Sequence, residues 1–271
     1  MRAGSGTGED GRLPASRRST HGEKPEPKPR FSGPDDYFDR PMRSYPRPAK
    51  AFYWFALVLV MLFTKLYHRW GASGTRPWSD GGSTGTGRVI VANHASMLDP
   101  VILIIDAATH GGRLRPLYKS EFDDNRLALW LFSRVGAIPI HRGTADTKAI
   151  RRAVSALKSG DDICVFPEGT RVRDPQARPP IHGGFAVIAQ MAHCPIVPVG
   201  IEGSNRIEPS GRGVPRPVRV RMRYGDPIDF SDVTGATRRE RSEAMERLAM
   251  GRVYELRDQL AAEAGNGAGK R

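Results

Sequence analysis

Apolar residues fall into two kinds of run along this chain. Short runs bounded by Gly, Pro, Asn or Asp read as buried strands. Longer stretches with an apolar residue every third or fourth position read as helices. From residue 88 the two kinds alternate. Strands are predicted at RVIVAN (88–93), LRPLYKS (114–120), AIPIHR (137–142), DICVFPEG (162–169) and PIVPVGIEG (195–203). Helices are predicted at DPVILIIDAAT (99–109), RLALWLFSRVG (126–136), TADTKAIRRAVSALKSG (144–160) and GFAVIAQMAH (184–193). In the first of these, Asp99 stands at the cap and Pro100 in the opening turn. VRVRMRYG (218–225) alternates strictly, with Val218, Val220, Met222 and Tyr224 on one face and Arg219, Arg221 and Arg223 on the other. A last helix, about 237–262, carries Met245, Leu248, Ala249, Leu256 and Leu260 as one stripe. This order predicts an α/β fold: a mainly parallel or mixed sheet covered by helices, in a single catalytic domain.

The N-terminal quarter reads differently. AFYWFALVLVMLF (51–63) is uninterruptedly apolar. Thirteen helical residues span about 20 Å, short of a hydrocarbon core of about 30 Å. The run therefore predicts a helix over 49–70 that dips into one leaflet. Tyr53, Trp54 and Trp70 would sit at headgroup level, with Lys50, Lys65 and Arg69 at the anionic surface. A span lengthened by snorkelling Lys65 and Arg69, and a buried core helix, are the alternatives. Residues 1–50 hold eight prolines, 11 Lys/Arg and 7 Asp/Glu without apolar periodicity. They predict a disordered arm at 1–48 whose removal to residue 45 leaves activity intact. Residues 71–88 read as a Gly/Ser/Thr connector, the catalytic domain runs over 71–265, and 266–271 form a tail.

Charge sharpens the picture. With 42 Lys+Arg against 29 Asp+Glu, the net charge of +13 favours an anionic partner: nucleic acid, an anionic membrane or a phosphorylated substrate. Nucleic-acid binding predicts a recognition helix or an aromatic stacking platform, and the sequence suggests neither. The two cysteines, Cys164 and Cys194, sit in apolar segments, which argues for a reducing, cytoplasmic setting. No signal peptide is visible in the first twenty residues. GSTGTGRV (82–89) has the glycine spacing of a phosphate loop. It lacks the Lys-Ser/Thr pair and precedes a strand instead of following one, so it is set aside.

Two segments carry candidate chemistry. His94 follows a strand, where open α/β sheets build their sites, and Asp99 stands five residues on. A carboxylate on one imidazole nitrogen fixes the tautomer and leaves the other nitrogen to take a proton. The plainer reading is that Asp99 caps a helix and His94 braces a turn. FPEGTR (166–171) also follows a strand, and there Glu168, Gly169, Thr170 and Arg171 offer backbone amides and a guanidinium to an anion. Arg142 stands just past another predicted strand. No metal-ligand spacing occurs. His141 reads as a surface residue, and His21, His68, His110 and His193 have no partner that can be named from sequence.

NHASMLD (93–99), GAIPIHR (136–142), FPEGTR and PIVPVGIEG, in this order, resemble the glycerolipid acyltransferase family, and most nearly its bacterial 1-acyl-glycerol-3-phosphate acyltransferases. The resemblance spans about residues 52–230. It implies that His94 is the general base on the acceptor hydroxyl, oriented by Asp99. It places Asn93, Lys119, Arg142, Glu168, Gly169, Thr170 and Arg171 at positions used for the acceptor's phosphate and the site's architecture. It associates Ile196–Pro198 with the acyl donor or with packing. It implies transfer from an acyl thioester, on coenzyme A or acyl carrier protein, to the free hydroxyl of 1-acyl-glycerol-3-phosphate. The product would be phosphatidic acid, made at the cytoplasmic face of the membrane with no metal or other cofactor. The same fold acylates other lysophospholipids and glycolipids, and these remain alternative acceptors. A catalytically silent membrane scaffold is the distant one. Two features depart from the family pattern: His182 stands where a lysine-rich step is usual, and the connector replaces an element before the first strand.

Overall fold

In the computed structural model, which describes residues 31–78, 85–141, 146–208 and 215–268, the six predicted strands and one that was not predicted assemble into a seven-stranded sheet. The strands are β1 (Gly71–Gly74), β2 (Val89–Ala92), β3 (Leu114–Lys119), β4 (Ile138–Ile140), β5 (Asp162–Val165), β6 (Ile196–Glu202) and β7 (Arg221–Tyr224), in the order β1-β7-β6-β2-β5-β3-β4. From β6 through β4 every pairing is parallel; β7 runs antiparallel to β6, and β1 parallel to β7. The helices are α1 (Pro34–Asp39), α2 (Arg47–His68), α3 (Leu98–Thr109), α4 (Arg126–Arg134), α5 (Thr147–Lys158), α6 (Gly184–Ala192) and α7 (Arg238–Ala268).

β2 is wholly apolar because both of its faces are covered. Ile90 and Ala92 join Tyr53 and Leu57 of α2 and Ile102 and Leu103 of α3 in one core layer. Val89 and Val91 join Leu157 of α5, Phe185 and Ala189 of α6, and Met245 and Ala249 of α7 in the other. The α/β class and the two-sided covering agree with the alternation. Cys164 and Cys194 are buried free thiols. The rejected phosphate-loop stretch lies partly outside the described residues.

Three expectations are corrected. First, part of the connector is a strand. GASG has no apolar alternation, and β1 is held by backbone pairing to β7. Gly74 has φ +82°, and a Cβ there would stand 2.0 Å from the Tyr224 carbonyl oxygen.

Second, residues 31–48 are not a disordered arm. α1 and the turn at Met42–Ser44 bury Tyr37, Phe38, Met42 and Tyr45 against the domain. The Arg115 guanidinium, 1% exposed, explains why. It donates to the carbonyls of Tyr37, Phe38, Arg40 and Gly136, so the segment supplies acceptors that a buried cation requires. Asp161 holds the Met42 amide at 2.8 Å and also binds Arg113. Residues 1–30 lie outside the described residues.

Third, the helix has the length expected, but most of its expected headgroup anchors are not at the surface. α2 has 22 residues, about 33 Å, and is long and apolar enough to cross a membrane by length and composition. Yet Ala49, Tyr53, Leu57, Thr64 and His68, spaced from its first turn to its last, are buried against the protein. Of the anticipated headgroup anchors, only Trp54 faces outward; Tyr53 and Trp70 are core residues. Lys65 folds back to the Trp70 carbonyl at 3.1 Å and over its ring, and Lys50 donates to the Arg43 carbonyl.

Candidate active site

β5, β2 and β6 are neighbours, so the loops leaving their carboxyl ends meet. After β2 the chain turns sharply into α3. The turn is organised by one buried oxygen: Asp99 Oδ2 accepts from the amides of Ala95 (2.7 Å) and Ser96 (2.8 Å) and faces His94 Nδ1 at 3.0 Å. Asp99 is therefore not the helix cap expected from sequence; it lies within the first turn of α3 and is 0% exposed. An oxygen that already accepts two amide protons faces Nδ1 as an acceptor, so Nδ1 carries the proton. Nε2 is then the basic nitrogen, and it has no partner among the described residues. The ring is 16% exposed and lies nearly parallel to Phe166, with centroids 4.3 Å apart. The geometry thus supplies both readings of the pair at once: Asp99 braces the turn and polarises the imidazole.

The loop after β5 is stitched to this turn. The Val172 amide donates to the His94 carbonyl at 2.7 Å. Glu168 Oε2 accepts from the His94 amide at 2.8 Å, and Oε1 accepts from Tyr254 of α7 at 3.1 Å. Burial pushes the Glu168 carboxyl up, against the pull of those two donors. Gly169 has φ +68°, and a Cβ would meet the His182 ring at 2.7 Å. The positive φ favours glycine here, while the exposed His182 ring can move aside. Thr170 and Arg171 are exposed.

The predicted residues separate into three groups. His94 and Asp99 form the dyad, with Arg171 on the adjoining loop. Asn93 and Glu168 are struts. Asn93 exchanges two hydrogen bonds with the Ile201 backbone of β6 (2.8 and 2.9 Å) and is buried, so its amide is occupied by the sheet and not offered to a substrate. Lys119 ends β3, with its ammonium 2.8 Å from Glu121. No hydrogen bond or ion pair among the described residues ties it to the dyad. Arg142 lies outside the described residues. His141 makes an exposed pair with Asp146 at 3.0 Å, and no group of His, Cys, Asp and Glu suited to a metal occurs among the described residues.

One participant escaped sequence reasoning. Glu208, beyond β6, reaches back to the dyad's turn and pairs with both Arg171 and Arg173. A lone glutamate in a polar loop carries no local signal of such a role.

Residues 80–202 match the family model described as Acyltransferase. The match spans 123 of the 271 residues, so the likeness to the acyltransferase family is a finding about this segment. The chain is 33% identical over 146 residues to the 1-acyl-sn-glycerol-3-phosphate acyltransferase of Streptococcus pneumoniae, a match covering 54% of this chain and 51% of that one. It is 25% identical over 175 residues to the protein of the same name from Bacillus subtilis, covering 65% and 83%. The chain thus spans about half the length of the first relative and most of the second. Its fold resembles the crystal structure of the 1-acyl-sn-glycerophosphate acyltransferase PlsC from Thermotoga maritima, with a TM-score of 0.60 at 22% identity over 80% of this chain and 84% of that one. Both the dyad and the FPEGTR loop lie inside the acyltransferase segment.

Proposed function

We propose that this acyltransferase moves an acyl group from a thioester to the free hydroxyl of 1-acyl-glycerol-3-phosphate, giving phosphatidic acid for phospholipid synthesis. The observation that carries the reading is the dyad. His94 Nε2 has no partner among the described residues, while Nδ1 is pinned to a carboxylate oxygen that two backbone amides hold in place. In the proposed step Nε2 takes the hydroxyl proton as the acceptor oxygen attacks the thioester carbonyl. The C–S bond then breaks, and the leaving thiolate recovers a proton from the imidazolium. No acyl-enzyme is needed, and the described residues around the dyad present no serine or cysteine positioned as a nucleophile. Asp99 stabilises the transient imidazolium, and Arg171 supplies the charge for the acceptor's phosphate.

The thioester is carried by coenzyme A or acyl carrier protein, and the reaction takes place at an anionic membrane on the cytoplasmic face. An exposed apolar face on α2, comprising Trp54, Phe55, Val58, Leu59, Leu62, Phe63 and Leu66, supports the membrane contact. The test is transfer of labelled acyl groups from both thioesters by the purified full chain to 1-acyl-glycerol-3-phosphate, a lyso-phosphodiester and a glycolipid. Preferred turnover of the phosphate monoester is expected. Preference for either of the other acceptors would replace this acceptor while leaving the chemistry in place.

A further inference from the structure

Arg171, the residue read above as the acceptor's phosphate ligand, already has an anion. Glu208 Oε2 bonds Arg171 Nη1 and lies 3.4 Å from Arg173 Nη2. Oε1 accepts from Ser96 Oγ and from the Met97 amide, each at 3.2 Å, on the turn between His94 and Asp99. One carboxylate therefore spans the loop after β5 and the turn that carries the base. Its surroundings suit a larger anion equally well: two guanidiniums, a hydroxyl and a backbone amide next to a helix N-terminus. Burial works to raise the Glu208 carboxyl, but the Met97 amide, Arg171, Ser96 and Arg173 outweigh it and hold the group below the ordinary carboxylate range. At neutral pH it is charged, and both arginines are partly exposed, within reach of an incoming headgroup.

We propose that Glu208 holds Arg171 and Arg173 in place of the acceptor's phosphate, so that any anionic headgroup must displace this built-in competitor to bind. The inference rests on Arg171 being the phosphate ligand. A monoester brings a charge of about −1.5 to −2 and three terminal oxygens. It can satisfy both guanidiniums together and gain over the carboxylate it displaces. A phosphodiester brings a single charge and two terminal oxygens, the same as the carboxylate, so the exchange gains little. Glu208 thus raises the threshold that a headgroup must exceed.

The experiment measures KM and kcat of the full chain for 1-acyl-glycerol-3-phosphate and for lysophosphatidylglycerol, a phosphodiester, with labelled acyl-CoA. The variants are Glu208→Gln, Glu208→Asp, Arg171→Ala and the Arg171→Ala/Glu208→Gln double variant. Glu208→Gln keeps the shape and removes the charge. It should lower KM about threefold for both acceptors, the scale of losing partly exposed ion pairs, because each of them must displace the same carboxylate. The ratio of the two KM values should stay as it is in the parent. Glu208→Asp keeps the charge on a shorter arm, and should shift both constants the same way by less. With Arg171 gone, the glutamine should change little. Unchanged or equally raised KM values in Glu208→Gln, at an unchanged thermal midpoint, would overturn the inference and leave Glu208 as a bracket between two loops. If the glutamine variant does not fold, an unshifted Glu208→Asp has the same consequence. The underlying reading fails separately: if Arg171→Ala leaves acceptor KM untouched, Arg171 is not the phosphate ligand, whatever Glu208 does.

Discussion

At the residue scale, the site divides its side chains between chemistry and positioning, and mutation should separate the two. His94→Ala removes the base and should cost ~10²–10⁴-fold in turnover with the fold intact. Asp99→Asn is the more informative change. An amide oxygen can still accept from Ala95 and Ser96, so the turn stands, but it carries no charge to stabilise the imidazolium. Turnover should fall by about 10²-fold or more with little movement of the thermal midpoint. Retention of more than about a tenth of the rate, well above what loss of a working dyad allows, would reduce Asp99 to a turn brace. Glu168→Ala should show the opposite signature. It strands the His94 amide and the Tyr254 hydroxyl, so about 1–3 kcal/mol of stability should be lost in denaturant titration. The acceptor and donor KM values should move together. An acceptor-specific rise in KM would return Glu168 to the substrate.

At the scale of elements, the docking of residues 31–48 depends on Arg115. Arg115→Met fills the space but strands four carbonyls and takes from the fully buried Asp161 one of its two guanidiniums, 3.6 Å away, leaving Arg113. A buried acceptor left unpaired costs about 1–3 kcal/mol, so the urea midpoint should fall and limited proteolysis should reach residues 31–46 first. An unchanged midpoint would mean that the segment is held by its aromatic packing alone. For the same reason, truncation to residue 45 should destabilise the enzyme, contrary to the expectation from composition. That contrast marks what was legible in the sequence. The buried strands and the helices between them were legible, because a strand covered on both faces must be apolar throughout, as VIVA and DICV are nearly so. The dyad and its loop were legible because each follows such a strand directly. β1 was not, because GASG has no apolar alternation and is held by backbone pairing, with Gly74 alone pressed against the Tyr224 carbonyl. Residues 31–48 were not, because their partner lies about 75 positions away in Arg115. Asn93 and Glu168 were found but given to the substrate, because a motif shows which residue is required and not which neighbour requires it.

At the scale of the whole molecule, the exposed apolar surface is where the proposed contact with a membrane would form. A helix that crosses a bilayer must be surrounded by lipid or by other spanning elements. α2 instead lies along the sheet's own core layer, buried on one stripe from Ala49 to His68, and tied at its end by Tyr67 to the Pro215 carbonyl and by Trp70 to Thr64. Its other face is apolar and open, with Phe55 68% and Leu66 85% exposed. That surface continues onto α4, where Trp130 meets Phe52 at 4.8 Å and Leu127 and Leu131 are exposed. A helix with one face on the protein and the other apolar fits a leaflet lengthwise, so the enzyme should bind peripherally, with α2 in the plane of the surface. Deleting α2 would also remove Tyr53 and Leu57 from the core, so truncation cannot isolate the contact. Point changes on the open face can. Phe55→Asp, Leu59→Asp and Leu66→Asp together leave every buried position of α2 in place. In flotation with anionic vesicles, the parent chain should float and lose only part of its binding in high salt, because apolar burial is not screened. The triple variant should stay in the soluble fraction at the parent's thermal midpoint. It should still acylate a detergent-dispersed acceptor while losing most activity on vesicles. Equal flotation of the triple variant would move the contact to α4 or to the arginines of β7, and equal activity on vesicles would disconnect membrane binding from catalysis.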